Sequence, residues 1–207
     1  MLSNKLKINL VGDTMVGKTT ILGRMKTGTF DADSMVTVGA SFVMLRKENL
    51  NFEVWDTAGQ ERYLSLIPMY FRDVKIVLFV FDVNIIKSIK YINKYKNALQ
   101  DKPNVRIIIL GNKTDLLKKE YSLEELTLEV NKNFEELELT DKVHGLYFIS
   151  AKDGNNFDKF LEHFYESAKT LPLDNVNLGI TINNLYNDIN KNVDKDEHVE
   201  DKNRKCC

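Results

Sequence analysis

The sequence predicts an α/β domain built on a mostly parallel sheet flanked by helices. Three observations carry that expectation. Five short runs rich in β-branched and aromatic residues, at 6–11, 52–55, 76–81, 105–110 and 147–149, are almost continuously apolar, as strands covered on both faces are. Helical spacings fall between these runs, and strands alternating with helices make a parallel sheet. A glycine-rich loop joins the first run to the first helix.

Taken in order, residues 6–11 form the first strand and 18–26 the helix after the loop. Strand 76–81 leads into a helix over 88–99. Leu123, Leu126, Val130 and Leu137 space a helix over 123–137. Phe157, Phe160, Leu161, Phe164 and Ala168 lie at i, i+3, i+4, i+7 and i+11, so 157–170 presents one apolar face. Pro172 ends the expected domain, 1–171. Beyond it asparagines crowd 183–192 and the last residues are charged, which predicts a flexible C-terminal tail over 172–207. Leu178, Ile182, Leu185 and Ile189 keep a helical spacing inside that tail, in a segment too short to stay helical without a partner.

Composition narrows the function classes. The 207 residues are 43% hydrophobic, enough for one sizeable core. Lys+Arg number 29 against 30 Asp+Glu, a balance that argues against binding nucleic acid through bulk charge. No apolar run approaches the roughly 18 residues of a membrane span, and the N-terminus shows no secretory pattern. Leu2 stands where N-myristoylation needs Gly. The two cysteines, Cys206 and Cys207, are the last residues. They cannot staple a core, and a fold with no other cysteine suits a reducing compartment.

Gly12-Asp13-Thr14-Met15-Val16-Gly17-Lys18-Thr19 has the form G-x-x-x-x-G-K-[ST] between a strand and a helix. Glycines let backbone N–H groups curl around a phosphate, and the helix N-terminus favours the anion. Lys18 brings a point charge to the terminal phosphates, and the Thr19 hydroxyl is a hard oxygen ligand for Mg²⁺. Trp55-Asp56-Thr57-Ala58-Gly59-Gln60-Glu61 follows the run 52–55. Asp56, at a strand end, stands where a Mg²⁺-organising carboxylate belongs. Gly59 allows a backbone N–H close to a γ-phosphate, and the Gln60 amide can orient a water. Asn112-Lys113-Thr114-Asp115 follows 105–110. The Asp115 carboxylate can accept from N1–H and the exocyclic amine of guanine, a donor pair that adenine lacks. Ser150-Ala151-Lys152 follows 147–149, where the Ala151 N–H can meet guanine O6. Every motif falls at the same edge of the sheet.

These motifs, in this order over about 5–170, resemble the small GTPases of the Ras superfamily. The wording Trp55-Asp56-Thr57-Ala58-Gly59-Gln60-Glu61-Arg62-Tyr63 is similar to that of Rab proteins. Thr37-Val38-Gly39-Ala40-Ser41-Phe42 and Ser65-Leu66-Ile67-Pro68-Met69-Tyr70-Phe71-Arg72 resemble their endosomal branch. The resemblance implies a P-loop small GTPase domain with a six-stranded sheet. It implies that Gly12, Thr14, Met15, Val16, Gly17, Lys18, Thr19 and Thr20 cradle the phosphates of GTP or GDP. Gly59 joins them. Thr37 is placed on both the γ-phosphate and the metal, so that Thr19, Thr37 and Asp56 hold Mg²⁺. Phe30 packs on the base, which Asn112, Lys113, Asp115, Ser150, Ala151 and Lys152 surround. Gln60 and Lys18 are the catalytic pair. Phe42, Trp55 and Tyr70 match an aromatic triad read by effectors, and Cys206-Cys207 a double lipidation site.

Three departures from the family's pattern stand out. Thr14 and Met15 are bulkier than the small residues usual beside the γ-phosphate, 115–150 is longer by several residues, and the tail is not distinctly basic. The function implied is a monomeric, slowly hydrolysing GTP switch in vesicle traffic, endocytic by its motifs. It would be anchored by two lipids to the cytoplasmic face of endomembranes, with a cytosolic pool on a prenyl-binding chaperone. Its partners are an exchange factor, a GTPase-activating protein and effectors on the switch surface, with no nucleic acid. The alternative is a GTP-binding scaffold with little hydrolysis, suggested by Thr14 and Met15 and opposed by Gln60. Asn112 and Asp115 disfavour a P-loop kinase or ATPase.

Overall fold

Parallel strands cannot be joined by tight turns, so each expected strand needs a crossover segment lying on a face of the sheet. The computed structural model describes residues 4–31, 40–57, 66–118, 121–172 and 174–175. Thr37, Gly59, Gln60, Cys206, Cys207 and the apolar positions between 178 and 189 lie outside the described residues. Asn4–Asp174 forms one compact unit.

Six strands make the main path of the sheet: β1 (Asn4–Gly12), β2 (Ala40–Lys47), β3 (Leu50–Thr57), β4 (Val74–Asp82), β5 (Arg106–Asn112) and β6 (Val143–Phe148). Their spatial order is β2-β3-β1-β4-β5-β6, and Asp174–Asn175 forms a two-residue strand off this path. Every pairing along the path is parallel except the β2–β3 hairpin. The helices are α1 (Lys18–Thr27), α2 (Ile67–Phe71), α3 (Lys96–Gln100), α4 (Leu123–Glu136) and α5 (Phe157–Lys169).

Alternation along the strands divides the core into two layers. Leu6, Ile8 and Leu10 of β1 and Ile76, Leu78 and Val80 of β4 pack with Ile21 and Leu22 of α1 and Phe157, Phe160 and Phe164 of α5. Val11 of β1 and Val77, Phe79 and Phe81 of β4 pack with Ile89, Ile92, Leu126, Val130 and Phe134. Both faces of β4 are therefore covered, which is why its sequence reads as unbroken apolar character.

The helix expected over 88–99 has a different geometry. Residues Ile86–Tyr95 form a 3-10 helix, and only Lys96–Gln100 is α-helical. Ile86, Ile89, Ile92 and Tyr95 recur every third residue. A helix with three residues per turn stacks them in one straight seam, and Ile89 and Ile92 are fully buried. The long stretch before Ser150 resolves into α4, closed at its start by a Ser122–Glu125 capping box, and a short 3-10 helix, Thr140–Lys142. Leu139 between them is buried in the second layer.

Phe164 is fully buried against Phe52, Phe160 and Tyr165, with ring centroids 5.2, 6.1 and 5.3 Å away. Phe164→Ala is expected to lower stability by about 3–5 kcal/mol. Urea unfolding should show a reduced midpoint with an unchanged m-value.

Candidate functional site

Gly12, Asp56 with Thr57, Asp82 and Asn112 stand at the carboxyl ends of β1, β3, β4 and β5. Asp82 and Asn112 are register partners. Loops leaving this edge have backbone groups that the sheet no longer pairs, and polar side chains from the strand ends satisfy them.

The loop 12–17 has a shape only glycine allows at two points. Gly12 has φ +147°, and a Cβ there would run into the Val80 carbonyl. Gly17, at φ +98°, is the N-cap of α1, and a Cβ would strike the Asn112 side-chain amide. Between them Thr14 N donates to Asp13 Oδ1 at 2.7 Å. Thr14 and Met15 are both exposed, with Met15 in the left-handed region at φ 59°. Lys18 folds back over the loop, and its Nζ donates to the carbonyls of Gly12 (3.0 Å) and Asp13 (2.6 Å). Burial pulls its pKa down to about 8, while the carboxylates of Asp56 and Asp13 act in the opposite direction. A cation held this way is a ready partner for phosphate oxygens.

One helical residue later, Thr19 Oγ1 donates to Asp56 Oδ2 at 2.6 Å. Asp56 is fully buried. A hydroxyl and a carboxylate converging beside the anion loop are the hard oxygen donors that Mg²⁺ takes together with phosphates, so these two residues fit that ion. Among the described residues no cluster of three or more His, Cys, Asp or Glu could hold a metal by itself.

Asn112, at the end of β5, ties two loops together. Its Nδ2 donates to Val16 O (2.9 Å), and its Oδ1 accepts from Ala151 N (3.0 Å). The Ala151 N–H expected to face guanine O6 is thus engaged with Asn112. Ser150 Oγ donates to Asp115 Oδ1 (2.7 Å) and accepts from the N–H groups of Lys152 and Asp153. Asp115 is exposed, and the serine fixes its direction. Phe30, just past α1, is 40% exposed.

Three supporting residues escape motif reading. Asp82 holds Lys113 Nζ at 2.7 Å. Asn84 donates to the carbonyl of Lys113 at 3.4 Å. Tyr95 places its hydroxyl against the Thr57 side chain and the Gly12 backbone, and burial pushes that phenol well above its ordinary range. Asp82 has a readable signal, an acid ending an apolar strand. Tyr95 has none, because its reach depends on how the 3-10 helix crosses the sheet.

Just before this edge on β3, Trp55 is brought together with Phe42 of β2 and Tyr70 of α2. Ring centroids are 5.2 Å apart for Phe42–Trp55 and 6.0 Å for Trp55–Tyr70. Phe42 is exposed, Trp55 half-buried and Tyr70 buried, so the patch presents two rings and rests on the third.

A glycine-bounded loop after β1, an acid ending β3 and a carboxylate fixed by Ser150 after β5 match the pattern of a P-loop nucleotide-binding protein. The profile of the Ras family matches residues 7–170. The chain is 36% identical over 175 residues to Ras-related protein Rab5 of Nicotiana tabacum, covering 80% of each chain. It is 37% identical over 176 residues to Ras-related protein Rab-5A of Dictyostelium discoideum, covering 81% of each. Over 185 residues it is 32% identical to Ras-related protein Rab-22A of Homo sapiens, covering 86% of this chain and 89% of that one. The chain belongs to the Ras family, as a small GTPase of the Rab type. It binds guanine nucleotide, and regulators and effectors are its general class of partner.

Asn112→Ala leaves a buried carbonyl at Val16 and a buried N–H at Ala151 without partners. Each such group costs about 1–3 kcal/mol. Denaturation should show a loss of at least about 2 kcal/mol, and bound fluorescent GDP should dissociate faster by about tenfold or more. Unchanged values for both would show that the bridge holds nothing.

Proposed function

We propose that this protein is a Rab-type switch that hydrolyses GTP slowly and serves endocytic traffic from the membrane surface. The observation that carries the reading is the fixed carboxylate of Asp115, set by Ser150 at 2.7 Å beside the loop bridged by Asn112. A carboxylate held there pairs with the N1–H and amino group of guanine. The Ala151 N–H is shared between Asn112 Oδ1 and O6, a three-centre arrangement common for backbone donors. Phe30 and the Lys113 stem cover the faces of the base.

The chain's own residues act on the triphosphate mainly by position and charge. Lys18 exchanges two carbonyl oxygens for phosphate oxygens. Gly59 and Thr37 hold the γ-phosphate through their N–H groups, and Gln60 orients the attacking water. Mg²⁺, when bound by Thr19, Asp56 and Thr37, supplies further neutralisation of phosphate charge. Loss of the γ-phosphate releases the segments around Thr37 and Gln60, and effectors that read Phe42, Trp55 and Tyr70 lose their surface. An exchange factor and an activating protein set the two directions of the cycle.

Membrane attachment rests on Cys206 and Cys207. Between 172 and 205 the tail carries five basic and seven acidic residues, a net −2, so anionic lipid does not attract it as a whole. Stable anchoring generally needs two signals, and here both are lipids, which a prenyl-binding chaperone can shield in the cytosol. The similarity to endosomal Rabs in 37–42 and 65–72 supports an endosomal membrane.

A single-turnover assay tests the reading. GTP should be hydrolysed at a rate on the order of 10⁻⁴ per second, as in unassisted Ras, and Gln60→Leu should slow it. No hydrolysis in the parent would favour a GTP-binding scaffold instead, with Thr14 and Met15 as the obstacle. The base pocket has its own test. Asp115→Asn should weaken GTP by roughly 3 kcal/mol, about a hundredfold, and should bind xanthosine triphosphate better than GTP. Undiminished GTP affinity would refute the pocket.

A further inference from the structure

One row of side chains crosses the sheet beneath the aromatic patch: Phe42 of β2, Trp55 of β3, Asn9 of β1 and Val77 of β4 are successive register partners. Asn9 is its only residue with a polar amide, and it is fully buried. Its Nδ2 donates to the carbonyl of Tyr70 in α2 at 2.9 Å. A carbonyl only accepts, so this bond fixes the orientation of the amide and directs Oδ1 elsewhere. Among the described residues, Asn9 Oδ1 is buried without a hydrogen-bond partner, and so is the indole Nε1 of Trp55. An unpaired acceptor and an unpaired donor therefore sit on directly paired residues of neighbouring strands, on the same face of the sheet. Each opposes burial alone, and together they are complementary.

Trp55 is flanked by Phe42 at 5.2 Å, Tyr70 at 6.0 Å and Lys7 Nζ at 5.2 Å from the ring centre, none of which occupies the indole N–H. Asp56 and Thr57, which follow it, run directly into the segment that carries Gly59 and Gln60. A pull on that segment by a γ-phosphate acts on the strand end that bears the indole. Asn9 meanwhile grips α2, whose N-terminal side leads back to the same segment.

We propose that Asn9 is a positioning residue for the effector-facing aromatic patch: in the GTP-bound form the Trp55 indole N–H donates to Asn9 Oδ1, coupling β3 to α2 through one amide. The inference rests on the nucleotide-switch reading above and adds to it the element that transmits the switch to the patch. A hydrogen bond here gives the indole one tilt in the GTP form and leaves it loosely set in the GDP form.

Trp55 is the only tryptophan of the chain, so the full-length protein labelled with ¹⁵N-tryptophan gives one indole N–H signal. Its solvent exchange should be about tenfold slower, or more, with a slowly hydrolysed GTP analogue than with GDP. Asn9→Val should abolish that difference while binding both nucleotides as the parent does. If Asn9→Val does not fold, the Asn9 carboxamide signals of Trp55→Phe replace it, and their dependence on nucleotide should vanish. Equal indole exchange in the two forms of the parent, or a nucleotide-dependent difference that survives in Asn9→Val, overturns the proposal while leaving the switch intact. For Trp55→Phe, a persisting nucleotide dependence does the same. A parent that binds neither nucleotide on the same samples overturns both readings.

Discussion

The Asn112 side chain is the connection on which the site depends. It is a short amide, almost wholly buried at the end of β5, and it spans the phosphate loop at Val16 and the base loop at Ala151. Both contacts are backbone groups of irregular segments that no strand or helix pairs. A buried peptide group without a partner is expensive, so the amide holds the two loops at a set separation. Gly17 must lack a side chain because that amide occupies the space a Cβ needs.

Polar and charged groups around the site are held in a similar manner, by pairs that cross elements and by contacts with the 12–17 loop. Lys113 finds Asp82, Thr19 finds Asp56, and Lys18 rests on two carbonyls of its own loop. The near-zero net charge of the chain gives no hint of this, since the cations that matter are local and partly desolvated. Desolvation raises the worth of each interaction and removes the tolerance for an unpaired member. Lys18 shows the balance: burial lowers its pKa to about 8 although two carboxylates favour its charge.

The aromatic patch obeys a different logic. Phe42, Trp55 and Tyr70 come from an edge strand, its neighbour and a short helix, and they meet because β2 and β3 pair in one register and α2 lies across β1. Tyr70 belongs to the core and supports the other two. The 3-10 helix Ile86–Tyr95 contributes to both faces of the problem. Its straight apolar seam packs the second layer, and its last residue places a hydroxyl against Thr57 and Gly12 while stacking on Phe71 of α2, 5.4 Å away. Phosphate loop, β3 end and α2 thus share one aromatic neighbour.

Much of this is readable in the chain itself, wherever the physical signal is local. Strands buried on both faces announce themselves as apolar runs, and α4 and α5 by the spacing of their buried side chains. The phosphate loop is readable because its glycines and lysine must be adjacent to curl around an anion. The edge strand β2 is hidden, since one partner and one covered face leave only a half-apolar alternation in which Phe42 and Met44 are exposed. The 3-10 segment reads as α in sequence because the two patterns share their i, i+3 contacts. Asp82 leaves a trace as an acid ending an apolar strand, but Asn84, Tyr95 and the second role of Asn112 leave none. What they do depends on which strand ends become neighbours, and Asn112 and Val16, 96 positions apart, meet there. By itself the sequence determined the chemistry available: an anion loop, hard oxygen ligands and a carboxylate for a base. Only the tertiary structure decided how these groups are held, because a side chain's reach to a distant backbone group is set by the twist and register of the sheet, which no local pattern contains.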